Sequence, residues 1–156
     1  TTLFRSYISG RADDFSRISD LVLYEKRMNI LAELYLKSAA DINAIIDDFA
    51  GMHAAVKSQE VLLGQKLKLL VSFDDSAIDA IITQAIETGL DVGHLTDALG
   101  EKLEYGLNLV KDRSGIRDFT ITEAAVIDME GFIDKLIKKL PHRKSSPETP
   151  DRRPEE

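Results

Sequence analysis

All four prolines of this 156-residue chain, Pro141, Pro147, Pro150 and Pro154, lie beyond position 140. Inside a helix a proline costs about 3 kcal/mol, because it lacks an N–H and its ring meets the preceding turn. Residues 1–140 contain none and are rich in Leu, Ile, Ala, Lys and Glu, which predicts helix after helix. The apolar spacing agrees. Steps of seven from Leu21 reach Met28, Tyr35, Ile42, Phe49, Val56, Leu63 and Leu70, with Tyr24, Leu31, Ile45 and Met52 as companions. That is helical periodicity, and no strand-like alternation is sustained. The expected class is all-α, with about six helices over 1–140 and a disordered Pro-rich, charged tail over 141–156. The tail has no aliphatic residue with which to offset its ordering entropy.

Local signals divide the helical part. Ser38 with Asp41 resembles a capping box and places a break near 38. Gly51 and Gly64 are candidate bends. Ser76 with Asp79, and Thr120 with Glu123, also have capping-box spacing, and Asp91 is a cap for the helix that follows. Gly89 suits a left-handed helix terminus, and Ser114-Gly115 ends the next helix. One final helix is expected from Thr120 to Leu140.

The totals narrow the function. A chain this long buries roughly 70% of its unfolded surface and needs no disulfide or metal staple. Cysteine is absent, so thiol catalysis and zinc-finger sites are excluded, and a cytoplasmic location fits. A net charge of −7 argues against a nucleic-acid partner. No apolar run reaches the ~18–20 residues of a membrane span.

Residues able to carry chemistry are few. His142 falls in the tail, and His94 lies in the first turn of its helix, exposed. His53 sits mid-helix beside Met52 and is read as a partly buried histidine hydrogen-bonded to a neighbour, against a haem ligand or a phosphoacceptor. With Phe49 and Met52 it forms the candidate lining of a pocket. The acids Asp13-Asp14, Asp47-Asp48 and Asp74-Asp75 suit solvated faces and caps. No Glu-x-x-His pair, calcium loop, phosphate-binding loop or Gly-x-Ser-x-Gly elbow occurs. No metal ligand set and no catalytic set emerge, and a non-enzymatic role is expected. Gly93, Gly100 and Gly106 share one helix, each costing up to ~1 kcal/mol relative to alanine, which close packing could offset.

Two segments together resemble the last three helices of the sensor globins. One is Gln84-Ala85-Ile86-Glu87-Thr88-Gly89-Leu90 with the following Asp91–Leu99, and the other is Ile121–Asp134, containing Val126-Ile127-Asp128-Met129 and Phe132-Ile133-Asp134. The resemblance covers about 60 residues. Haem-binding members carry the proximal histidine four residues before the glycine, where this chain has Ala85. The chain therefore looks like the non-haem sensor globins, such as the N-terminal domains of stressosome regulators. That resemblance implies a globin-like sensory domain in a stress-response pathway, without haem and without catalysis. It implies a fatty-acid-like ligand, a signalling partner, and a homodimer in which residues 91–113 and 120–140 build a four-helix bundle. Two other readings fit the same residues: a helical-bundle adaptor or chaperone, and a phosphotransfer domain using His53.

Overall fold

A computed structural model describes residues 6–7, 10, 12–19, 21–38 and 41–139. Among them the chain runs α1 (Ala12–Ser19), α2 (Glu25–Ser38), α3 (Ile42–Leu67), β1 (Leu70–Phe73), α4 (Asp75–Thr88), α5 (Val92–Ser114), β2 (Asp118–Ile121), α6 (Glu123–Ile127) and α7 (Met129–Lys138). Of the described residues 79% are helical and 6% lie in strands, so the fold is all-α, as the proline distribution predicts. The expected tail, with Leu140 and His142, lies outside the described residues.

Helix α3 is the hub, packing against α1, α2, α4, α5 and β1. Asp41 starts it by accepting from the Ala44 N–H at 3.0 Å. Its Ile45, Phe49 and Val56 recur at helical spacing and have no exposed surface. Around them lie Ile78, Ile81 and Ile82 of α4 and Leu103, Leu107 and Val110 of α5. Each such side chain contributes about 1.5–3 kcal/mol by leaving water. Phe15 of α1 closes one side, its ring 5.9 Å from that of Phe49.

The strands are a finding that helical periodicity did not foresee. They run parallel, with Leu70 opposite Asp118 and Phe73 opposite Ile121. Leu70 N–H donates to the Arg117 carbonyl at 2.8 Å, and Asp74 N–H to that of Ile121 at 3.0 Å. Val71, Phe73, Phe119 and Ile121 point into the core, whereas Leu70, Ser72, Asp118 and Thr120 are exposed. A lone two-stranded sheet is marginal in water, so this one depends on its apolar face meeting the helices. Parallel strands require a long crossover, here α4 and α5. Four residues per strand are too few to break a seven-residue count, and Leu70, last in that series, is 70% exposed.

Other expectations are corrected in the same way. Helix α3 runs through Gly51 and Gly64 without interruption. The cap of α4 is Asp74, which accepts from Ala77 N–H at 2.9 Å, while Ser76 Oγ donates to Asp74 at 2.7 Å. Thr120 belongs to β2, and the helix begins at Glu123 with Thr122 as a cap lacking a side-chain bond. The single final helix is two, because Asp128 ends α6 and caps α7 by accepting from Gly131 N–H at 3.1 Å. Spacing alone cannot say which of two neighbouring polar residues turns toward the helix end.

Three helices close on a left-handed residue: Gly89, Gly115 and, on α3, Lys68 with φ 58°. For lysine this conformation costs about 1 kcal/mol more than for glycine. The glycines of α5 serve packing within the chain. A Cβ at Gly106 would lie 2.5 Å from Ile133 Cδ1 of α7, and one at Gly100 would lie 3.3 Å from Leu63 Cδ1 of α3. A Cβ at Gly51 meets nothing within 4 Å.

Two alanine substitutions should therefore differ in sign. Gly106→Ala forces the Ile133 side chain aside and is expected to destabilise by about 1–3 kcal/mol, despite the gain in helix propensity. Gly51→Ala is expected to stabilise by about 0.5–1 kcal/mol. Urea denaturation of both variants checks this.

Candidate functional site

The main polar feature of the interior is built on Arg27. Its position on α2, three residues after Tyr24 and four before Leu31, places it on the buried stripe. Only 1% of it is exposed. Nε donates to Asp79 Oδ1 at 3.1 Å, and Nη1 to the Val22 carbonyl at 2.9 Å. Nη2 lies 3.2 Å from Asp75 Oδ1, an ion-pair contact without hydrogen-bond geometry. The guanidinium also stands over two rings, 4.5 Å from the centre of Tyr24 and 5.5 Å from that of Phe49.

Asp79 has no exposed surface, and its second oxygen accepts from the Tyr24 hydroxyl. Burial, and then Asp79, hold the Tyr24 phenol well above its ordinary value. The proton therefore stays on tyrosine and Asp79 stays the acceptor. Each Asp79 oxygen accepts one of these bonds. Together α2 and α4 are clasped beneath α3, and Lys26 adds an outer link to Glu123 of α6 at 2.9 Å. That outer pair is half-exposed and contributes about 0–1 kcal/mol.

The sequence-predicted trio borders this cluster. Phe49 is fully buried, Met52 is half-buried against the core, and His53 follows with its ring 6.4 Å from that of Phe49. His53 Nε2 is buried and has no hydrogen-bond partner among the described residues, contrary to the hydrogen-bonded histidine expected. Burial, and next the Arg27 charge, lower its pKa below 6.5, against the opposing pull of Asp75 and Asp79. None of the three residues lines the clefts described below.

Arg27, Tyr24 and Asp79 were missed as a group. A signal existed: Arg27 lies between Tyr24 and Leu31 on one stripe, and Asp79 sits among Ile78, Ile81 and Ile82. Capping-box spacing drew Asp79 to the wrong role. Ala85 is buried in α4, and His94 is exposed. Among the described residues, no group of three or more His, Asp or Glu is placed to hold a metal ion.

At the surface, α5 and α7 enclose an open, largely apolar groove of about 450 Å³, lined by Tyr105, Leu109, Ile133 and Ile137. Tyr105 is 77% exposed. Lys102 stands on the α5 side, and Glu130 and Asp134 on the α7 side. No helix among the described residues is long and apolar enough to cross a membrane. No family model, curated protein or solved structure matches the chain.

Removing one partner of the clasp leaves a buried charge. Asp79→Ala is expected to lose about 3–5 kcal/mol, and Arg27→Met with Asp79→Leu markedly less, because no charge is then stranded. Denaturant titration of the three proteins decides it. For His53, the folded pKa lies below the unfolded value, so the unfolded chain takes up the proton first. Above about pH 6.5 the group has no effect, and stability falls as pH drops through and below that value. His53→Gln should flatten this part of the stability–pH curve, which melting temperatures across the range will show.

Proposed function

We propose that the chain is a non-catalytic regulatory domain that signals by docking, with the α5–α7 groove pairing two copies. One observation carries this: an apolar groove on the outer face of the last helices, headed by an exposed tyrosine. Tyr105 is too exposed to contribute to its own core, and large exposed aromatics of this kind anchor interfaces. The charges favour a second copy as occupant. In a two-fold pairing the same patch meets itself, so Lys102 of one copy can face Glu130 and Asp134 of the other.

The sensor-globin resemblance supports the regulatory role and points to the same two helical segments. It reaches the dimer by another route, since Gly100 and Gly106 pack against Leu63 and Ile133 within the chain. A globin packs eight helices, whereas this fold includes a strand pair, so the proposal stands on the groove. Signalling passes to a partner protein or an attached output domain. The fatty-acid-like ligand of that resemblance belongs to the same reading, and mass spectrometry of the denatured protein tests it directly.

Light scattering across a concentration series tests the pairing. A dimer is expected at about 10–100 μM, and Tyr105→Glu should weaken it at least about tenfold without lowering the melting temperature. A wild-type chain that stays monomeric at about 100 μM overturns the pairing.

A further inference from the structure

A second cleft, remote from that groove in sequence, joins the end of α3 to β1. It is open to solvent and measures about 590 Å³. Two large apolar residues flank it, Val61 on α3 at 57% exposure and Leu70 on β1 at 70%. Gly64 lines it as well. A Cβ there would come 3.1 Å from the Leu69 carbonyl, so the last turn of α3 lies close against the residue that leads into β1.

The charges of this cleft run against those of the chain. The net charge is −7, yet the cleft carries Lys68 and Arg117. Arg117 Nη1 donates to the Lys68 carbonyl at 3.4 Å, which draws the two residues together. Among the described residues neither side chain has a carboxylate partner. The one acid in the lining, Glu60, is engaged by Lys57 at 3.1 Å and by the Phe73 N–H at 2.5 Å. Lys68 is also the only non-glycine residue at positive φ among those described. Glycine closes α4 and α5 at the equivalent place, and would close α3 with less strain. An unfavourable backbone conformation that keeps a cation at the mouth of an apolar cleft points to use.

We infer that this cleft docks an extended polypeptide segment of alternating aliphatic and acidic residues from a partner protein. The aliphatic side chains would lie between Val61 and Leu70, and the carboxylates would meet Lys68 and Arg117. The open form favours a chain segment over a compact molecule. Small-molecule sites enclose most of their ligand, whereas an extended peptide spreads its contacts along an open surface.

Fluorescence anisotropy of the full chain with a labelled hexapeptide of alternating Leu and Glu tests the inference. Its Leu/Lys counterpart is the control. The Leu/Glu peptide is expected to bind and the Leu/Lys peptide not. Lys68→Gly and Arg117→Gln should each weaken binding about fivefold. Lys68→Gly should at the same time raise the melting temperature by about 2–4 °C, which separates a lost contact from a lost fold. Equal binding of the two peptides, or unchanged affinity in both variants, overturns the inference. So does displacement of the Leu/Glu probe by a peptide of residues 141–156, which would make the chain's own end the occupant.

Discussion

The buried pair of Arg27 and Asp79 governs how the first half of the chain meets the second. Two charges have been taken out of water, which alone is unfavourable by several kcal/mol per ion. Their arrangement offsets this: a direct bond between them, the Val22 carbonyl and two aromatic faces around the guanidinium, and the Tyr24 hydroxyl on the far carboxylate oxygen. Apolar side chains of similar volume would supply comparable stability, but any apolar face could meet any other. A buried cation accepts only the register that brings it a carboxylate. The pair joins α2 to α4 through one direct charged contact.

Helix α3 lies over that clasp and carries its consequences outward. Phe49 touches the Arg27 cluster on one side and the Phe15 ring on another, and further along α3 the helix meets α5 and β1. The parallel strands then tie the end of α3 to the start of α6. Among the described residues, the α5–α7 groove and the cleft beside Lys68 are two surfaces outside the core. Both combine apolar walls with charge, and both lie on elements anchored by buried side chains.

Much of the helical plan was legible in the sequence. Asp91, Gly89 and Gly115 all stand where their capping chemistry places them, because a helix end is a local problem solved within four residues. Ser38, by contrast, expected to open a helix, ends α2, and Asp41 caps α3 in its place. The strands were not legible, since four alternating residues are indistinguishable from one turn of a helical stripe. The division at Asp128 was missed for a related reason: Ile127-Asp128-Met129 continues an apolar pattern while the backbone turns. Periodicity placed Phe49 and Met52 on the inward side of α3, and His53 beside them, where they border the Arg27 cluster. It did not place Arg27 and Asp79, because a charged residue on an apolar stripe reads as an interruption until its partner, 52 residues away, is known.

What the sequence determined by itself is the class and part of the punctuation: a helical stretch over 1–140 that is free of proline, with the Asp91 cap and the Gly89 and Gly115 termini in place, which are properties of neighbouring residues. The tertiary structure alone decided which of those residues are used together. It turned Asp79 from a presumed cap into the partner of Arg27, and Leu70 from a core position into an exposed strand residue. It set Gly106 against Ile133 and Lys68 beside Arg117. These are encounters between segments distant in the chain. Their energies depend on separation and burial, quantities that exist only once the chain has closed on itself.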